Sequence, residues 1–215
     1  MKEKSGLLPM VLMLVFALTR LPGMLPQNFS AVYALMFCAG VYFAGRIGWW
    51  LPFGMMLVTD LGLNLYYQFA LGLDVFTPGK LLYLGGNYLA YAAMLWLGRR
   101  FNPKSSWIAL LGGGVLGAIL FYLITNTISW FFNPFGNPEY TKTIAGWIQA
   151  LTGGTAGWPQ TWEFFRNTLA SGGLFTGLFA GAMKLAAALE PKEEEAEESE
   201  PAAESEGEAP EEAKS

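Results

Sequence analysis

The sequence predicts an all-α integral membrane protein, a bundle of about six transmembrane helices with a disordered acidic C-terminal tail. Two observations predict it. Hydrophobic types make up 53 % of the 215 residues and charged types 14 %, against about 25 % charged in soluble domains. That is too little charge to wet the surface of a soluble protein of this length. The charge is also segregated. Residues 190–215 hold twelve glutamates and two lysines, a net of −10, while residues 1–189 hold eleven bases and five acids, a net of +6. This divides the chain into a transmembrane domain, 1–189, and a Glu/Ala/Pro-rich tail, 190–215.

A helix needs about 20 apolar residues to cross a bilayer, within a range of about 17–25. The first span runs from Gly6 to Thr19 after a Met1-Lys2-Glu3-Lys4 start, and Arg20 snorkels at its end. Its exit, Ala17-Leu18-Thr19-Arg20, lacks the small-x-small pattern of a cleaved leader, so the span reads as retained. The others are Ser30–Gly45, Trp49–Leu71, Leu81–Gly98, Trp107–Phe132 and Phe164–Leu189. Pro159 and Glu163 suit the first turn of the last one, where a missing N–H and a negative charge are tolerated. Thr143–Leu151 is apolar but too short to cross, and is expected in the interface, ended by Gly153-Gly154.

Basic residues orient the bundle. One side holds Lys2, Lys4, Arg46, Arg99, Arg100, Lys104, Lys184, Lys192 and Lys214, and the other holds only Arg20, Lys80, Lys142 and Arg166. The richer side is cytoplasmic by the positive-inside rule. A multi-pass protein of the inner (cytoplasmic) membrane with both termini inside is therefore expected. Beyond Leu189 no aromatic or large aliphatic residue occurs, so the tail cannot offset its ordering entropy and is expected to be disordered in the cytoplasm.

Several function classes are disfavoured. The chain has no histidine, the usual general base and commonest metal ligand. Its one cysteine, Cys38, sits in an apolar run and reads as a small buried hydrophobe. No disulfide or metal-ligand set can be assembled. Gly79-Lys80 is followed by Leu81 and lacks the preceding Walker glycine, so it is no phosphate loop. No catalytic residue, cofactor or metal is expected, and no clustered basic stripe suggests nucleic acid.

Small residues recur every fourth position at Gly40, Ala44 and Gly48, at Ala109, Gly113 and Gly117, and at Gly173, Gly177 and Gly181, and should mark helix–helix contacts. Tryptophan and tyrosine near span ends read first as an interfacial belt. Trp130, Tyr140, Trp147, Trp158 and Trp162 are dense on the outer side and could line a pocket instead. Asp60 falls mid-span, where a charge costs about 2.5–3.5 kcal/mol. Asn64 lies one turn on, and no base is expected at that depth. A neutral carboxyl, or one bonded to the amides of Asn87 or Asn126, is expected rather than a salt bridge. Its role stays open between ligand binding and an interhelical hydrogen bond. Arg20, Asn28, Asn126, Trp130, Arg166 and Asn167 converge on the outer leaflet and, with Asp60, form the candidate ligand site. Glu163 pairing with Arg166 at i,i+3 is the bland alternative for that arginine.

Several stretches carry a resemblance: Arg20-Leu21-Pro22, Asn28 to Leu35, Thr59-Asp60-Leu61-Gly62, Phe121 to Asn126 with Trp130, Tyr140 to Gly146, and Phe164 to Leu169 with Leu174-Phe175-Thr176. Together, over roughly residues 10 to 185, they resemble a bacterial membrane-protein family of unknown function. That family is similar to the substrate-binding S components of energy-coupling-factor vitamin transporters. The resemblance implies capture of a vitamin-like molecule from outside, then toppling against a transmembrane coupling subunit driven by two cytoplasmic ATPases. One departure is that Gly6–Thr19 lacks the small-residue ladder through which many S components dock. The expected partners are thus the lipid bilayer, a small-molecule ligand, a coupling subunit and ATPases. The alternative is a structural or assembly membrane protein without a transported ligand. An outer cavity lined by Arg20, Asn28, Asn126 and Arg166 favours uptake; a tightly packed bundle favours assembly.

Overall fold

The computed structural model describes residues 7–43 and 45–198. Among them are seven helices and no strand: α1 (Leu7–Thr19), α2 (Val32–Tyr42), α3 (Ile47–Phe69), α4 (Pro78–Gly98), α5 (Trp107–Phe132), α6 (Ile144–Leu151) and α7 (Thr161–Glu198). The starts follow local capping chemistry. The Thr77 hydroxyl accepts from Lys80 N at 3.4 Å, and Pro78 occupies the first turn, where its missing N–H costs nothing. Ser106 caps α5 by accepting from Ala109 N at 3.1 Å, and Thr143 caps α6 by accepting from Gly146 N at 3.2 Å.

Two helices are long and apolar enough to cross a membrane, α5 and the Thr161–Leu189 part of α7. Of the others, α1, α2 and α6 have 13, 11 and 8 residues, fewer than a full crossing needs. α3 and α4 have 23 and 21 residues, but Asp60, Asn64 and Gln68 in one and Lys80 and Asn87 in the other dilute their apolar character. The last helix differs from expectation. It continues to Glu198, nine residues past Leu189 where the disordered tail was to begin. Glutamate and alanine are good helix formers, and extending an existing helix needs no new nucleus. The rest of the tail, 199–215, lies outside the described residues.

α2 is the centre. Every residue from Val32 to Val41 is buried, as befits a helix apolar on all sides. α4, α5 and α7 surround it, with α4–α5 and α5–α7 the most extensive pairings. α3 packs on α2 through Gly48, Pro52, Met56 and Asp60, its buried residues, spaced by four along one face. Its other faces expose Trp50, Leu57, Val58 and Phe69.

The small-residue ladders do lie at internal contacts. A Cβ on Gly40 would strike the Leu95 carbonyl, and one on Gly98 the Phe37 carbonyl, so α2 and α4 meet backbone to backbone. Gly113 faces Phe37 and Phe101, Gly117 faces Met94, and Gly177 lies under Trp107, whose indole donates to the Gly177 carbonyl at 3.2 Å. Ala44 lies outside the described residues.

Gly40→Ala forces two backbones apart and should destabilise by about 1–3 kcal/mol. Gly112→Ala meets nothing within 4 Å and should be neutral or gain up to about 1 kcal/mol from helix propensity. Thermal melting of both in detergent checks this; equal melting temperatures would remove the close α2–α4 approach from the account.

Candidate functional site

A cavity of about 860 Å³ opens at the end of the bundle where α4 begins and α5 ends. One face of α4 lines it in steps of three, four and four residues: Lys80, Tyr83, Asn87 and Tyr91. Tyr122, Thr125, Asn126 and Ser129 line it from α5, and Thr161, Phe164 and Thr168 from α7. The α5–α6 and α6–α7 loops add Asn137, Tyr140, Thr155 and Trp158, and the turn before α2 adds Gln27 and Asn28.

Burial distinguishes floor from rim. Tyr33, Tyr91 and Phe121 are buried and interlock, Tyr33 edge-on to Phe121 at 4.9 Å and Tyr91 stacked on it at 5.1 Å. Lys80 and Trp158 are exposed and form the rim. Part of the polar lining is already engaged. Thr125 Oγ1 donates to the Phe121 carbonyl at 2.9 Å, and Thr168 Oγ1 to the Phe164 carbonyl at 2.9 Å. The Tyr122 hydroxyl donates to the Leu151 carbonyl, tying α6 to α5. Asn126 Nδ2 donates to the Tyr122 carbonyl at 2.8 Å. A carbonyl can only accept, so this bond fixes which way the amide is turned. Among the described residues, no three His, Cys, Asp or Glu side chains gather to hold a metal.

Two of the predicted site residues, Asn28 and Asn126, line this cavity. Asn28 takes φ 60°, a left-handed conformation that asparagine tolerates better than most residues. Asn167 stands one step behind, donating to the Gln27 carbonyl at 2.9 Å and so holding that turn on α7. The remaining four lie elsewhere. Trp130 donates its indole N–H to the Thr141 carbonyl at 2.7 Å and pins the α5–α6 loop. Arg166 stacks on Trp162, its guanidinium 5.7 Å from the ring centre. It does not pair with Glu163, whose carboxylate accepts from Gln160 N at 3.3 Å at the start of α7.

Arg20 and Asp60 form an ion pair with each other and do not line the cavity. This corrects the expectation that Asp60 lacks a cation at its level. Asp60 lies about 20 Å along α3, and α1, only 13 residues long, ends beside it. Arg20 therefore reaches the carboxylate, while another guanidinium nitrogen contacts Met56 Sδ at 3.4 Å. Asn64 bonds the Asp60 backbone carbonyl at 2.8 Å, not its side chain. Asn87 and Asn126, the amides considered as partners, face the cavity instead. Tyr140 and Trp158, two of the outer-side aromatics expected to line a pocket, do line it; Tyr33, Tyr83, Tyr91, Tyr122 and Lys80 are not singled out by the sequence as ligand contacts. The available signal was the Lys80-Tyr83-Asn87-Tyr91 spacing, a polar-aromatic stripe on a helix otherwise rich in leucine and alanine.

One further contact shapes the mouth. The Glu139 carboxylate accepts from Ala156 N at 2.9 Å, linking the two loops beside Tyr140 and Thr155. The Ala156 amide and the residue's own amide hold this carboxyl below its ordinary value of 4.5. The carboxylate form therefore favours the closed loop arrangement.

Two predictions follow from these contacts. Asp60→Asn and Asp60→Leu should be similarly damaging, each by about 3 kcal/mol, because both leave an enclosed Arg20 without a counter-charge. Adding Arg20→Met to Asp60→Leu should recover most of the loss; an Asp60→Asn protein that melts like the parent would contradict the pairing. For Glu139 the folded pKa is depressed, so its contribution is complete above the ordinary value and fades as pH falls through the lower folded value. Hydrogen exchange at Ala156, corrected for intrinsic rates, should be flat above pH 4.5 and rise only below it. Glu139→Gln should abolish that step.

No curated protein and no solved structure matches the chain. A family model described as a family of unknown function (DUF6580) matches residues 2–194. The chain belongs to this family, DUF6580, whose model covers all but the first residue and residues 195–215, most of the acidic tail.

Proposed function

We propose that the protein is the membrane-embedded, ligand-binding component of a small-molecule uptake system, of the type of the S component of an energy-coupling-factor transporter. The observation that carries this reading is the cavity. At about 860 Å³ it falls within the range of small-molecule sites, about 300–1,000 Å³. It combines an aromatic floor with convergent amides and hydroxyls. An assembly protein would have no use for such a space in its bundle.

The spacing of the charges supports a membrane setting with six membrane-entering segments, α1 to α5 and α7. α4 starts at the cavity rim and ends at Arg99-Arg100, about 31 Å further along its axis. That is close to the thickness of a bilayer core, about 30 Å. With Arg99, Arg100 and Lys104 on the cytoplasmic side, the cavity faces outward, as capture requires. The broad apolar faces of α3 and α5 then meet lipid. With no nucleotide loop in the sequence, energy for release inward comes from partner subunits, the coupling subunit and ATPases that the resemblance implies.

The test pairs topology with cargo. In a Cys38→Ala background, Asn137→Cys should react with membrane-impermeant thiol reagents from outside, and Asn102→Cys should be protected. Native mass spectrometry of gently purified protein should reveal a bound small molecule. The reversed labelling pattern, or a protein that carries nothing and is not stabilised by any small molecule, would overturn the uptake reading.

A further inference from the structure

We infer that the cavity takes an elongated, singly charged carboxylate whose other end is a planar nitrogen heterocycle bearing a ring N–H. This rests on the reading of the protein as a small-molecule-binding component, and it names the ligand class of that site.

Charge sets the first limit. Among the described residues, Lys80 is the one ionised side chain lining the cavity, and no carboxylate lines it. The Lys80 ammonium donates to the Asp74 backbone carbonyl, which leaves two of its three donors free. A cationic ligand or a metal ion would find no carboxylate among these lining side chains, and the Glu139 carboxylate beside the mouth is bonded to Ala156 N. A polyphosphate would bring several charges to a single cation. One carboxylate matches one ammonium.

Position sets the second limit. Lys80 stands at the rim and Tyr91 on the floor, eleven residues apart on one face of α4, about 16 Å. A ligand whose carboxylate reaches Lys80 therefore points its other end inward along that face. Its inner end enters a region walled by Tyr33, Tyr91, Phe121 and Tyr122. Aromatic walls favour a flat ring, which can stack or meet them edge-on.

Hydrogen bonding sets the third. With one Nδ2 hydrogen of Asn126 bonded to the Tyr122 carbonyl, this amide keeps its Oδ1 acceptor and one remaining N–H for a ligand. An acceptor left facing a dry ring loses its bond to water without compensation. A ring N–H at that level meets Oδ1, and a second ring heteroatom can accept from the remaining N–H. A purely hydrocarbon ring would leave Asn126 unsatisfied.

Four matched probes test this on the full-length protein in detergent, by thermal shift and calorimetric titration: indole-3-propionate, its neutral amide, the cation tryptamine, and cyclohexanepropionate, which lacks both the flat ring and the N–H. Indole-3-propionate should bind tightest, about tenfold above the amide, since a charge-assisted bond at Lys80 is at stake. Lys80→Gln should erase that margin while leaving the amide unchanged. Asn126→Leu should weaken the acid and the amide alike but spare their 1-methylindole analogues. Tryptamine or cyclohexanepropionate binding as well as indole-3-propionate would overturn the ligand class. So would a Lys80→Gln protein that keeps the margin. A co-purifying molecule found by native mass spectrometry to be cationic or non-aromatic would sink the class but leave the uptake reading standing. The absence of any bound molecule, together with no response to any probe, would sink both.

Discussion

α2 rises about 16 Å over its eleven residues, while α4 beside it rises about 31 Å over twenty-one. The two run in the same direction and are in backbone contact near their C-terminal ends, where Gly40 meets Leu95 and Gly98 meets Phe37. From that contact α2 reaches back only as far as Val32 and Tyr33, beside Tyr91. The first half of α4 therefore has no length of α2 opposite it. The cavity occupies this unfilled space, with Tyr33 at the start of α2 as part of its floor. An α2 extended by three turns toward its N-terminus would fill the site with its own side chains. The shortness of the central helix is thus the constraint on which the site depends.

What ends α2 on that side is the α1–α2 turn. Pro26 lacks an N–H, and Asn28 sits in the left-handed region, so helix cannot continue through the turn. The turn is tied at both flanks. Thr19 Oγ1 donates to the Phe16 carbonyl at 2.8 Å and accepts from Ala31 N at 3.1 Å, joining the end of α1 to the start of α2. Asn167 holds the Gln27 carbonyl from α7. These bonds place Gln27 and Asn28 at the cavity wall while giving up no ligand-facing charge.

Local signals made the helices legible. Trp107–Phe132 was bounded from hydropathy alone, because Ser106 and Asn133 flank it with an N-cap hydroxyl and a left-handed C-cap. The glycine ladders were legible as contacts because close approach needs small residues wherever it occurs. The site was legible only in part. Asn28 and Asn126 stand out as polar residues in apolar surroundings, but Tyr83 and Tyr91 resemble the tyrosines of any interfacial belt until α2 is seen to stop short. The Arg20–Asp60 pair departs from the sequence expectation for a related reason, the shortness of α1. Assigning depth from sequence assumes that each apolar run crosses the whole layer. A 13-residue α1 does not, and its terminal arginine ends level with the middle of α3.

The ion pair and the cavity then divide the polar work of the bundle. α3 makes few packing contacts apart from those with α2, and most of its apolar surface faces outward. Van der Waals packing alone holds such a helix weakly, whereas an enclosed charge pair is costly to separate because each partner would be left without compensation. Arg20–Asp60 thus fixes α3 against the end of α1, beside the turn that sets the length of α2. Placing that carboxylate in the cavity would have set a negative charge against the anion proposed for Lys80. With Asp60 paired and outside, the lining has, among the described residues, a single positive charge at the rim and neutral hydrogen-bonding groups below it. In the proposed uptake role, shape and donor pattern rather than strong electrostatics would then decide which ligand enters.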